Sequence, residues 1–101
     1  MEISQMPKAY WIARVTVTNP DEYKKYAELA PLAFKKYEAK ILARGGKHEL
    51  LEGAGRPRNV VIEFPSLQAA HDCYNSAEYQ AARKFRVGSG EAELVIVEAV
   101  E

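Results

Sequence analysis

The sequence predicts an α+β domain in the order β-α-β-β-α-β, a four-stranded antiparallel sheet with its helices on one face. Three observations predict it. The stretches "KAYWIARVTV", "VVIEF" and "AELVIVEAV" are short and rich in β-branched and aromatic residues, as strands are. Between the first two runs an apolar stripe at helical spacing, through Tyr23, Tyr26, Ala27, Ala30, Phe34 and Tyr37. Asn19, Ser66 and Ser76 stand just before helical segments, where N-cap residues belong.

The first strand covers residues 8–17. In "TNPDEY", Asn19 caps the first helix, Pro20 takes its first position, and Asp21 and Glu22 sit at the positive end of its dipole. Glu22, three residues beyond Asn19, loosely imitates a capping box. Pro31 removes a backbone donor and crowds the carbonyl of Ala27, so a kink or break is expected there. "AKILARGGKHELLEG" reads as a long edge strand over residues 39–53, bulged at Gly45-Gly46. "AGRPRN" is a loop, and Pro65 ends the strand "VVIEF". Ser66 caps a short helix over residues 67–74, "NS" breaks it, and Ser76 caps a second piece from Ala77 to about Val87 before "GSG". "AELVIVEAV" is the last strand. The plan is ferredoxin-like.

At 101 residues the chain has room for one core. Residues 1–7 read as a loose leader, with Met6 an alternative start, and residues 8–101 as the domain. Fourteen basic against fourteen acidic side chains leave no net charge, hence no general pull toward nucleic acid. No apolar run approaches the ~20 residues of a membrane span, and the N-terminus lacks a secretory signal pattern. One cysteine, Cys73, can form neither an internal disulfide nor a multi-cysteine zinc site, which suits a reducing cytoplasm.

The strands are apolar on both faces. Trp11, Ala13, Val15 and Val17 point one way, and Tyr10, Ile12, Arg14 and Thr16 the other. Val60, Ile62 and Phe64 oppose Val61 and Glu63; Leu94 and Ile96 oppose Val95 and Val97. Helices can cover only one of these faces, and the other is too apolar to stay wet. A second copy, sheet against sheet, would cover it, so the expected partner is the chain itself. On the less apolar face Arg14 and Glu63 are expected to pair across the first and third strands, either to bind a ligand or to fix register.

Several groups invite a chemical reading. His71 and Cys73 are two apart on a helix and face different ways, so they form no nucleophile-base pair. Cys73 is expected in the core and His71 in solvent. Arg44, before the paired glycines, would hold a carboxylate or enolate oxygen while His48, just after them, moves a proton. Arg14, Glu63, Tyr74 and Arg86 are the candidate ligand-binding residues, with Tyr10, Trp11 or Tyr74 as apolar walls. His48 and His71 lack metal-ligand spacing, and the phosphate-loop and dinucleotide fingerprints are absent from "GAGRP" and elsewhere; no metal or cofactor is expected.

"ARGGKHELLEG", "RNVVIEFPS" and "YNSAEYQ" followed by Arg86, in this order, resemble the family labelled domain of unknown function 1330, over residues 8–100. The resemblance implies a ferredoxin-like fold of the dimeric α/β-barrel superfamily. Relatives in that wider superfamily include cofactor-free monooxygenases, haem-degrading enzymes and chlorite dismutase-like proteins, so it implies no single reaction. Family members commonly carry an aromatic residue where this chain has Cys73, which implies a packing position. The expected function is a cofactor-free enzyme, monooxygenase- or isomerase-like by fold analogy, acting on a small hydrophobic, oxygen-bearing molecule. The alternative is a homodimer that binds a small molecule without turnover or is purely structural.

Overall fold

A computed structural model describes residues 7–100; of the expected leader, residues 1–6 lie outside the described part. Strand β1 (Ala9–Val17) leads into helix α1 (Pro20–Lys36), then come β2 (Lys40–Arg44), β3 (Arg58–Phe64), helices α2 (Leu67–Asn75) and α3 (Ala77–Arg86), and β4 (Gly90–Glu98). The strands form one antiparallel sheet in the order β2-β3-β1-β4, so β1 is central and β4 is an edge. This is the ferredoxin-like α+β plan, with the second helix in two pieces.

Local chemistry explains the helix ends. The Asn19 side chain accepts from the Glu22 N–H at 3.3 Å, Pro20 opens α1, and Lys35 and Lys36 close it. The Glu22 carboxylate pairs with Lys25 at 3.0 Å rather than folding back onto the cap. Helix α1 continues through Pro31 to Lys36, so the break expected there does not occur. Ala30, Ala33 and Phe34 are buried around the proline, and their packing outweighs one missing backbone bond. Ser76 serves two helices: its Oγ donates to the Cys73 carbonyl at 2.6 Å and accepts from the Tyr79 N–H at 3.1 Å.

The core lies between the helices and one sheet face, centred on Trp11. The indole meets Phe34 and Tyr79 edge-on, at centroid distances of 5.2 and 5.0 Å, and stacks on Phe64 at 5.7 Å. Ala70, Cys73 and Ala82 are fully buried, small enough to let α2 and α3 approach this aromatic group.

The expected long second strand is corrected. β2 stops at Arg44, and residues 46–57 leave the sheet as an irregular arm on which Leu51 is 85% exposed. The register shift falls between Ile41 and Ala43, not at the glycines. Gly45 makes the last β2–β3 contact, its N–H donating to the Asn59 carbonyl at 2.9 Å, with φ at +67°. That left-handed turn ends the extended run, and the following "KHE" offers nothing apolar to bury.

No helix of the described residues covers the opposite sheet face. Ala43, Val61, Ile12 and Val95 form a row across all four strands, beside a second row of Glu63, Tyr10 and Val97. Val95 is 55% and Val97 46% exposed. Arg14 and Glu93 lie opposite one another at the polar end of this face, where the Arg56 guanidinium reaches Thr16 at 2.9 Å and Glu91 at 3.3 Å.

Candidate functional site

An apolar cleft runs between α1 and the sheet. Its walls are Tyr23, Tyr26 and Ala30 from the helix and Val15, Val60 and Ile62 from the strands, with Trp11 and Phe34 deeper. The cavity proper is about 40 Å³, within about 480 Å³ of cleft space that runs out to solvent. Among the described residues, Arg44 and Arg58 bring the only charges to its lining. No carboxylate or imidazole of the described residues lines it; its polar groups are guanidiniums and phenols.

The strands place both arginines. Arg58 is opposite Val15 on β1, and Arg44 opposite Val60 on β3, so both side chains rise from the helix-covered face. The Arg58 guanidinium lies 5.5 Å from the centre of the Tyr23 ring. Its Nε is buried and has no hydrogen-bond partner among the described residues. Tyr23 in turn packs on Tyr26 at 5.3 Å, and the Tyr26 and Tyr79 hydroxyls share a hydrogen bond of 2.8 Å. Burial pushes both phenols above their ordinary value, and the neighbouring Tyr79 raises Tyr26 further. Such phenols can donate a hydrogen bond near neutral pH but cannot act as bases. Arg86 on α3 covers the Tyr26 ring from outside the cleft, 5.6 Å from its centre.

The residues singled out in the sequence are scattered. Arg44 is at the cleft mouth, but His48 is exposed on the arm, its Nδ1 3.3 Å from the Gly46 carbonyl oxygen. The expected Arg14–Glu63 pair is not formed. Glu63 lies opposite Tyr10, four residues or about 13 Å along β1 from Arg14. Glu63 instead meets Lys8 at 3.5 Å, and Arg14 faces Asn59 and Glu93. Tyr74 packs against Trp11 and Tyr79 and borders a shallower hollow with His71, Leu94 and Ile96. Of the proposed walls, Trp11 belongs to the cleft, whereas Tyr10 is on the other face. Cys73 is buried and His71 exposed, as expected. No three His, Cys, Asp or Glu side chains gather as a metal site among the described residues.

Arg58, Tyr26 and Tyr79 were not anticipated. The signal for Arg58 was strand parity: residues 58, 60, 62 and 64 share a face, so Ile62 and Phe64 in the core place Arg58 beneath the helices.

The family model for the domain of unknown function DUF1330 matches residues 8–100. The chain belongs to the DUF1330 family. No functionally curated protein matches it. Among solved structures, the RPA0582 protein of unknown function from Rhodopseudomonas palustris superimposes with a TM-score of 0.75 at 15% identity, over 94% of this chain and 84% of that one. SnoaB, a cofactor-independent oxygenase from Streptomyces nogalater, gives 0.64 at 13% identity, over 94% and 95%. A dimeric protein of unknown function and ferredoxin-like fold from Bacteroides fragilis gives 0.63 at 15%, over 91% and 96%. At these identities the likeness establishes for this DUF1330 chain the fold alone. No helix among its described residues is long and apolar enough to cross a membrane.

Proposed function

We propose that this DUF1330 chain acts as a homodimer that binds a small hydrophobic, oxygen-bearing molecule in the α1 cleft. One observation carries the reading: an apolar cleft whose only charged lining groups among the described residues are two arginines, one with a buried donor that no described residue engages. Ligand sites are commonly apolar with a few convergent polar groups. The bare apolar sheet face supports the homodimer, as does the dimeric state of the Bacteroides fragilis neighbour.

Trp11 is the only tryptophan and lines the cleft, so it reports binding directly. A screen of small aromatic and carboxylate metabolites should yield compounds that raise the melting temperature and change Trp11 fluorescence. Ala27→Phe, which plugs the mouth from α1, should abolish both effects. Ligands that bind Ala27→Phe as they bind the native chain would move the site elsewhere.

A second reading is turnover without a cofactor, favoured by the SnoaB likeness in fold. There Arg44 would hold an enolate or phenolate oxygen, and His48, four residues further along the arm, would move a proton. Ligand-dependent oxygen uptake or isomerisation that His48→Ala removes, with binding retained, is its expected signature. Unchanged ligand after prolonged incubation in air would leave the binding reading standing alone.

A further inference from the structure

We infer that the α1 cleft selects anionic ligands of the carboxylate class, with Arg58 as the residue that receives the anion, Arg44 beside it, and Gly45 as the seat that holds Arg58. The inference rests on the cleft being a ligand site, and adds what kind of ligand it takes.

Arg58 is placed as a receptor rather than a structural cation. A guanidinium remains protonated under all ordinary conditions and carries five donors. In this chain it is half-buried against Tyr23, and among the described residues its Nε has no partner and no ion pair engages it. The ring face offsets part of the cost of desolvating the charge but accepts no in-plane N–H bond. By contrast, Arg56, two residues earlier, is occupied by Thr16, Glu91 and Glu93. The two neighbours in sequence have opposite situations because they fall on opposite sides of the sheet.

Arg44 adds a second positive charge on the same side. With Arg44 opposite Val60, Arg58 is its diagonal neighbour across the strands, roughly 7–8 Å away and within reach of long side chains. Among the described residues no acidic group lines the cleft, so none of them compensates this charge locally, although the whole chain is neutral. Two guanidinium forks match a planar carboxylate, and apolar walls suit an aromatic or branched aliphatic remainder.

Gly45 leaves the space that Arg58 occupies. A Cβ built on Gly45 would lie 2.5 Å from Arg58 Nη1 and 3.3 Å from its guanidinium carbon. The guanidinium therefore occupies the space over the glycine, which its left-handed backbone also favours. This connects the paired-glycine motif to the cleft: Gly45 both ends β2 and seats the anion-binding side chain.

The test compares benzoate with benzamide, and isobutyrate with isobutyramide, by Trp11 fluorescence and by the indole N–H signal in NMR. Each pair has one shape and differs in charge. The native chain should bind each carboxylate at least about tenfold more tightly than its amide, as expected for charge-assisted hydrogen bonds. Arg58→Gln should reduce the carboxylate to the level of the amide. Gly45→Ala, which displaces the guanidinium without removing it, should reduce the same preference. Equal binding of acid and amide by the native chain would overturn the carboxylate inference and leave the proposed ligand site standing; that comparison needs no variant to fold. A carboxylate preference that survives Arg58→Gln would overturn the role of Arg58. Absence of binding by all four probes would overturn the inference and the ligand site together.

Discussion

Cys73, Tyr26 and Tyr79 are weak acids held in their protonated forms. Burial, and then the nearby Glu78, push the Cys73 thiol up to about 12 from its ordinary 9.0. Burial likewise raises both phenols, from an ordinary 10.0. The unfolded chain would therefore release these protons at lower pH than the folded one, and the linkage has one sign. Their contribution is fully present below about pH 9, where the unfolded groups are still protonated, and is lost progressively as pH rises. The melting temperature should thus fall steeply above pH 9, and less steeply in a Tyr26→Phe, Tyr79→Phe double variant. In a phenolate absorbance titration two of the six tyrosines should ionise only when the fold opens. All six titrating together near pH 10 would refute the buried pair. At this scale the sequence disclosed the inert thiol, because His71 and Cys73, two apart on a helix, do not share a face. It did not disclose Arg58, whose role depends on where β3 begins; reading "RPRN" as loop removed it from the strand's alternation.

The helix boundaries were legible because their signals are local. Asn19, Ser66 and Ser76 each satisfy a free N–H within three residues, so nothing distant is needed to recognise them. Ser76 is the most demanding of the three, being buried and bonded on both sides. Ser76→Ala should cost about 1–2 kcal/mol, which lowers the melting temperature of a chain this size by roughly 4–16 °C. Calorimetry showing no loss would mean that α2 and α3 behave as one helix without the cap. The end of β2 was not legible, since a strand continues only while a partner pairs with it. Residues 47–53 have the composition of an exposed strand, but β3 begins at Arg58 and offers no strand backbone beyond that residue for them to meet. The Arg14–Glu63 pairing failed for a related reason: strand order was inferable from topology, whereas register is set by the packing of Trp11 against Ile62 and Phe64.

For the whole molecule, the alternation of side chains gave both sheet faces correctly, but not which of them the helices cover. The bare row of Ala43, Val61, Ile12 and Val95 carries the expectation of self-association. Sedimentation at micromolar concentration should show two chains, and Val95→Lys, at a site already half open to water, should give one folded chain with little loss of intrinsic stability. A native chain that sediments alone would refute the homodimer. Neither the cleft volume nor its open donor could be read from residue order, because both arise from how closely α1 lies on β1 and β3.

The layered arrangement has a consequence for thermodynamics. The aromatic cleft and the uncovered β-surface lie on opposite sides of a sheet one chain thick, so pairing two copies through that surface would leave both entrances facing outward. Each copy would then fill its cleft without reference to its twin, giving a simple hyperbolic isotherm whose midpoint does not drift with protein concentration.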